Sequence, residues 1–282
     1  MKKERVKTED YQNRDRPSTR LAQFGDIFKH RFVELLKLSL LQAVFNMPFI
    51  VSLIIFYVAV RNSGDLNQLM TVFLIQGASF VATVPCIFTG LTGVYYCLKK
   101  IAYADGEYAS SSFFIGLRDE WKNGLLMGLI TGLSAFIALT GFFFFYFYLS
   151  QFDKIITGFG IAIVIIQLII VLIVSYYSMS QIVCYSNQLR FMLKNSFIFM
   201  LIRFPINLGA LILYPGILIA LFSIMEITMY VGIGLLFFFS AIGQLMWMLI
   251  GLSTFDKFVN KTQYPEIYRK GLQDIQETTE EV

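Results

Sequence analysis

TGFGIAIVIIQLIIVLIVSYYSMS, residues 157–180, is a run of 24 residues without a single charged side chain. An α-helix needs about 20 apolar residues to cross the hydrocarbon core of a bilayer. Three earlier stretches of similar character lie at about 38–60, 71–98 and 124–149. We therefore predict that these four stretches are membrane-spanning helices.

The composition of the whole chain agrees with this prediction. Of its 282 residues 56% are apolar and only 15% are charged, and phenylalanine alone occurs 29 times. Soluble domains average about 25% charged residues. The alternating segments of about ten residues that are typical of a transmembrane β-barrel are absent from the sequence. We expect an all-α, polytopic helical membrane protein.

The long apolar region at 196–252 is expected to contain two further spans. A single helix of this length would extend about 85 Å, far more than a bilayer requires. We place the division near 223–227, where Glu226 is the only charged residue. The YPG sequence at 214–216 is a competing breakpoint. Either division predicts about six spans in total.

Lysine and arginine are distributed unevenly over the segments that flank these spans. Twenty fall in residues 1–37, 99–123, 181–195 and 253–282, whereas the intervening loops hold two, Arg61 and Lys154. Positive residues stay on the cytoplasmic side, so both termini are predicted to be inside. The net charge of +4 then favours contact with anionic lipid headgroups at the inner leaflet over binding of nucleic acid.

The charge pattern also predicts three regions along the chain. Residues 1–20 are polar and basic and are expected to be a disordered cytoplasmic arm. Residues 21–260 form the membrane domain, and residues 261–282 form a cytoplasmic tail that ends in QETTEEV.

Short amphipathic helices are predicted at the inner membrane surface. Over 113–122, an apolar stripe with Phe113 and Trp121 lies opposite Arg118 and Lys122, and Asn123 followed by glycine permits a break before the third span. The pattern recurs at 24–36 and more weakly at 188–202. The residues expected to dock a partner or lipid are Phe28, Lys29, Phe113, Phe114, Arg118, Glu120, Trp121, Lys122 and Lys194.

A second set of residues suggests a pocket at kinked helices. Arg203, Pro205 and Asn207 fall early in the predicted fifth span, where an arginine is costly and a proline frees a carbonyl that Asn207 could satisfy. Asn46 and Pro48 mark a similar position in the first span. The alternatives are that Arg203 extends to the inner interface and that the kinks are packing features. The spacings Gly90-x-x-Gly93 and Gly128-x-x-x-Gly132 indicate close helix approach.

The sequence offers no set of residues for catalysis or for a cofactor. The only histidine, His30, lies on a polar face before the first span, and the three cysteines lie in or beside apolar stretches. No phosphate-binding GxxxxGK[ST] loop occurs. No carboxylate lies deep in a span, where a proton-coupled transporter usually needs one. We expect a protein that is not an enzyme and that holds no metal or cofactor.

The run CIFTGLTGVYYCLKKIAYADGEYASSSFFIGLRDEWKNGLLMGLI, 86–130, resembles the YesL-like family of bacterial membrane proteins. The similarity extends to KLSLLQAVFNMPFI at 37–50 and to LRFMLKNSFIFMLIRFPINL at 189–208, and it covers roughly residues 20–260. Members of this family of undefined function are typically encoded beside carbohydrate ABC uptake transporters and sensor kinases. The resemblance implies an accessory or regulatory protein of the bacterial cytoplasmic membrane, with an ABC permease or a sensor kinase as partner. The alternative function is a small-solute transporter or channel with its pocket at the kinked first, second and fifth spans.

Overall fold

A computed structural model of the chain describes residues 16–105, 109–149, 154–185, 188–217 and 226–273. Within these ranges the chain is helical and contains no strand, as the sequence predicts. The first five helices are α1 (Arg20–His30), α2 (Phe32–Asn62), α3 (Leu66–Ala102), α4 (Ala109–Phe143) and α5 (Lys154–Cys184).

Four of these helices are long and apolar enough to cross a membrane. They are α2, α3, α5 and α4, the last of which continues through a π-helical turn to Tyr148. Each covers one of the four predicted spans and extends beyond it by several residues. Because successive long helices alternate in direction, α2 and α4 begin where α3 and α5 end. We call this the basic end of the bundle, since Lys29, Lys37, Lys99 and Lys100 lie there.

Helices α3 and α4 approach each other closely along a line of glycines. A Cβ atom added to Gly128 would lie 2.5 Å from the Cα atom of Pro85, and one added to Gly132 would lie 2.7 Å from the carbonyl oxygen of Phe80. Gly124 faces Phe88 in the same way. The close approach predicted from the spacing of Gly128 and Gly132 is therefore confirmed. Small residues let the backbones of membrane helices meet.

The predicted amphipathic helix at 113–122 is not a separate element. Helix α4 runs without interruption from Ala109 to Phe143 and has no break at Asn123. Gly124, which the sequence suggests as a breakpoint, instead lies inside the contact with α3, where a Cβ atom would come within 2.8 Å of the Phe88 carbonyl oxygen. Packing against α3 thus keeps these residues in one straight helix.

The predicted amphipathic element at 24–36 is divided. Helix α1 begins after Thr19, whose Oγ1 accepts a hydrogen bond from the backbone N–H of Ala22, and it ends at His30. Arg31 has non-helical dihedral angles, and residues 32–36 already belong to α2. The chain can therefore turn between a short helix at the basic end and the first long helix.

The last third of the chain forms two bent pairs of helices. The first pair is α6 (Leu189–Ile202) and α7 (Phe204–Leu211), which continues through a π turn to Gly216 and bends by 95°. The second pair is α8 (Glu226–Phe238) and α9 (Ser240–Phe255), with a bend of 60°. If each pair crosses the membrane once, the chain has six spans. The predicted division at 223–227 lies partly outside the described residues, and the YPG sequence does not interrupt the helix.

Helix α9 packs against three of the long helices near their basic end. The backbone N–H of Ala241 donates to Ser39 Oγ on α2, the Tyr95 hydroxyl on α3 donates to Gln244, and Trp247 stacks on Tyr176 of α5. Ser39, Tyr95 and Tyr176 each lie seven or eight residues from the basic end of their helices. At 1.5 Å per residue, these contacts all lie about 10–12 Å below that end.

Helix α7 follows the opposite direction to α9. Arg203, before its first residue, bonds to Ser253, whereas Tyr214, beyond its last residue, bonds to the carbonyl of Ser240 and packs on Gly243. Twelve of the sixteen residues of α9 are buried. This helix is therefore largely enclosed by protein, and each of the two spans predicted in this region corresponds to a bent pair of helices.

The two ends of the described chain meet at the basic end. The backbone N–H of Gln273 donates to the carbonyl of Pro17 at 3.1 Å, and Leu272 is buried. Residues 1–15 of the predicted arm and 274–282 of the predicted tail lie outside the described residues. Arg20, the last residue of the predicted arm, is the first residue of α1 and is buried.

Candidate functional site

The break between α6 and α7 forms around Arg203 and Pro205. Arg203 has a φ of −115° and a ψ of 28°, and it ends α6 while preceding α7. Pro205 lies in the first turn of α7, where its missing N–H costs no hydrogen bond. Arg203 therefore lies at a corner of the chain, in the region where the sequence predicts a kink in the fifth span.

Asn207 repairs this break from inside the protein. Its side chain is fully buried, and its Nδ2 donates to the carbonyl oxygens of Met200 at 3.2 Å and Phe199 at 3.5 Å. These carbonyls belong to the last turn of α6, which has no following helical N–H groups to bind. The role suggested by the sequence, in which Asn207 satisfies the broken helix, matches this geometry.

The same asparagine connects the corner to α5 and α9. The Tyr177 hydroxyl on α5 donates to Asn207 Oδ1 at 2.9 Å and lies 3.2 Å from Thr254 Oγ1 on α9. Arg203 completes the connection, because its Nη1 donates to Ser253 Oγ at 3.0 Å and its Nη2 to the Ser253 carbonyl at 3.4 Å. Three helices are thus joined by polar side chains at one level of the bundle.

Asn46 and Pro48 lie elsewhere in the fold. Gln42 Nε2 donates both to Asn46 Oδ1 at 2.9 Å and to the Ile87 carbonyl on α3 at 3.1 Å. Pro48 is exposed, and α2 continues through it. The hydrogen bonds of Asn46 and Asn207 therefore lead to different helices, and Pro205 is also exposed on the surface. The described contacts do not assemble the five predicted pocket residues into one site.

An apolar cavity of about 230 Å³ is present between α1, α7, α8 and α9. Its walls include Phe24, Tyr214, Phe239, Gly243 and Met246, and none of the five predicted pocket residues lines it. The sequence gives little sign of this cavity, because its walls come from four segments and consist of ordinary apolar residues.

The predicted docking residues on α4 separate into exposed and buried groups. Phe114 is 59% exposed and Trp121 is 43% exposed, with Lys122 Nζ 5.8 Å from the centre of the Trp121 ring. Phe113, by contrast, is only 1% exposed and contacts Phe45 of α2. The prediction that Phe113 faces lipid is wrong, because α2 covers that side of α4.

The charged predicted residues lie mostly at the surface. Arg118 pairs with its neighbour Asp119, and Glu120 accepts a hydrogen bond from Asn123 at 2.8 Å. Lys194 is exposed on α6. On α1, Phe28 is 42% exposed and Lys29 is exposed, so both are accessible for docking.

A buried ion pair that sequence reasoning missed lies at the basic end. Arg20 Nη2 on α1 lies 2.8 Å from Asp256 Oδ2, which follows α9, and both side chains are about nine-tenths buried. Arg20 also donates to Gln23 and to the Lys270 carbonyl. Gln23 in turn donates to the Ala102 carbonyl at the end of α3 at 2.7 Å. One network therefore joins α1, α3, α9 and the C-terminal segment.

Asp256 has further partners that complete this network. Its Oδ1 accepts hydrogen bonds from Asn260 Nδ2 at 2.8 Å and from the backbone N–H of Arg269 at 3.2 Å. The Tyr185 hydroxyl donates to Asn260 Oδ1. Burial raises the pKa of Tyr185, so this hydroxyl keeps its proton and remains a donor. We call the residues Arg20, Gln23, Tyr185, Asp256 and Asn260 the terminal clasp.

The outer face of α1 remains uncovered beside this clasp. Leu21 is 84% exposed, and Phe28, two turns further on, lies on the same side of the helix. The inner face of α1 is held by Arg20, Gln23 and the buried Ile27. The clasp thus fixes a short helix with an exposed apolar stripe at the basic end.

Comparison of the chain with protein-family models, with curated proteins and with solved structures gave no match.

Proposed function

We propose that this chain is a non-enzymatic accessory or regulatory protein of the bacterial cytoplasmic membrane, with both termini inside the cell. Its partner would be a permease subunit of a carbohydrate ABC transporter or a membrane sensor kinase. The partner class, the bacterial membrane and the absence of catalysis come from the sequence and from its resemblance to the YesL-like family. The inside position of the termini comes from the distribution of lysine and arginine.

The observation that carries this proposal is the exposed apolar stripe on a rigidly held α1. The side chains of Leu21 and Phe28 are exposed, whereas the opposite face of the helix is held by the terminal clasp. Exposed apolar side chains next to charged ones are typical of interaction surfaces. Lys29 lies beside the stripe, and Phe114 and Trp121 provide further exposed aromatic rings on α4. Because α1 is already held in place, a partner that binds it would lose little free energy to the ordering of this surface.

Site-specific crosslinking in native membranes tests this proposal. A photoactivatable residue at Phe28 is expected to crosslink to a permease subunit or a sensor kinase, because this ring is exposed at the basic end. The matched control is Ile163, which is exposed on α5 about 30 Å away along the bundle and is expected to contact lipid alone. Crosslinks to lipid alone from Phe28 would contradict the docking role.

A transporter or channel is the second candidate, and the 95° break at Arg203 favours it. Broken helices form binding sites in many transporters, and Arg203 is a cation placed at such a break. Solute flux by the purified chain alone in liposomes, lost in the Arg203→Ala variant at normal expression, would support this function. It would also overturn the accessory role, which requires a partner for any transport.

A further inference from the structure

Arg203 and Lys257 are two cations that both lie beside the end of α9. The two terminal nitrogens of the Arg203 guanidinium donate to Ser253, Nη1 to its Oγ and Nη2 to its carbonyl oxygen. Lys257 follows Ser253 by four residues, one turn nearer the basic end, and both residues lie on the accessible side of the helix. Side chains four residues apart are neighbours on a helix surface.

Neither cation is neutralised by the protein in the ranges that the structure describes. Among the side chains that the structure describes, no carboxylate oxygen lies within 4.0 Å of Arg203 or Lys257. Asp256, the nearest carboxylate in sequence to Lys257, points to the opposite side and pairs with Arg20. The buried Arg20 has its counter-ion, whereas the half-buried Arg203 has none among the residues that the structure describes.

The surroundings of these cations are those of a lipid-facing surface. Ile202, Phe204 and Ile206 are exposed on either side of Arg203, and Phe258 is exposed beside Lys257, with its ring centre 5.3 Å from Lys257 Nζ. Through Ser253 and the neighbouring Thr254, Arg203 lies at the level of Tyr177, about 10 Å from the end of α5. This level is close to the headgroup region of a leaflet rather than to the bilayer centre.

We propose that Arg203 and Lys257 bind the phosphate of an anionic phospholipid in the leaflet at the basic end. Guanidinium groups bind phosphate oxygens through paired charge-assisted hydrogen bonds, and lysine adds a second charge. Basic pockets between membrane helices bind anionic headgroups in the same way. Ser253 acts as a positioning residue that holds the guanidinium toward the surface, and Ile202, Phe204 and Ile206 contact the acyl chains. This site is independent of the docking surface on α1.

Native mass spectrometry of the full-length protein in mild detergent tests the proposal. We expect one molecule of phosphatidylglycerol to bind more tightly than phosphatidylcholine, whose headgroup has no net charge. Lys257→Gln should weaken phosphatidylglycerol binding about fivefold, and Arg203→Gln about fivefold or more, because each removes one near-surface charge. Lys37→Gln is the matched control, because Lys37 is an exposed lysine near the basic end of α2 and we expect less than a twofold change.

Three results would overturn the site. One is equal weakening by Lys37→Gln and Lys257→Gln, which would indicate a general charge effect. Another is equal binding of the two lipids. The third is full displacement of phosphatidylglycerol by inorganic phosphate at matched concentration, which would indicate a site for a soluble anion. Because Lys257 is exposed, the Lys257→Gln variant should fold normally. This variant therefore tests the site even if Arg203→Gln lowers the yield of folded protein.

Discussion

Arg20 illustrates how a single residue can differ from its expected role. In the sequence it ends a basic segment that has the composition of a disordered arm, but in the structure it begins α1 and pairs with Asp256, 236 residues later. No local pattern connects two residues at this separation. A buried ion pair is costly to form because both charges lose their contact with water. Hydrogen bonds to both side chains offset this cost in the terminal clasp.

Removing the carboxylate of the terminal clasp should therefore strongly destabilise the fold. Asp256→Asn leaves the buried Arg20 without a counter-ion, and we expect a loss of about 3–5 kcal/mol in the free energy of unfolding. Thermal unfolding in detergent measures this as a lower midpoint. Asp119→Asn is the matched control, because Asp119 pairs with Arg118 at the exposed surface and such pairs contribute little. Equal shifts in the two variants would contradict a structural role for the clasp.

Helix α4 illustrates the same issue at the scale of an element. Its first turns have an amphipathic pattern, which predicts a separate surface helix with Phe113 facing lipid. The pattern itself is present, but α2 and α3 pack against this part of α4, and the Phe113 ring is buried between them. An apolar stripe does not distinguish a lipid-facing side from one that faces another helix.

The glycine line between α3 and α4 leads to a prediction for this pair of helices. Gly128→Ala would bring a methyl group against the backbone of Pro85, and we expect a loss of about 1–3 kcal/mol from overpacking. Gly158→Ala on α5 is the control, since nothing lies within 4 Å of its added Cβ atom and alanine favours a helix. Midpoints of thermal unfolding should fall for the first variant and stay level or rise for the second. A fall in both would show that the contact is not the cause.

At the scale of the whole molecule, the two ends of the described chain lie together and the long helices alternate in direction. Both four and six membrane crossings place the termini on one side of the membrane. The distribution of lysine and arginine predicts that this side is the cytoplasm, and it supports the location proposed for the partner surface on α1.

Cysteine labelling of intact cells tests this orientation. In a variant whose three native cysteines are replaced by serine, Asn62→Cys should react with a membrane-impermeant reagent, because it lies at the end of α2 opposite the basic end. Lys29→Cys on α1 should react only after the cells are opened. Labelling of Lys29→Cys in intact cells, or failure of Asn62→Cys to react there, would contradict the predicted orientation.

The amino-acid sequence is sufficient to predict the helical class, the positions of four long helices and the small residues at which two of them meet. These properties depend on runs of about 20 apolar residues and on local spacing, which are readable along the chain. Contacts between distant segments are needed to explain three further properties, namely the packing of α9 among α2, α3 and α5, the burial of Phe113 and the pairing of Arg20 with Asp256. Hydropathy measures whether a segment avoids water, and a helix enclosed by protein satisfies that condition as well as one enclosed by lipid.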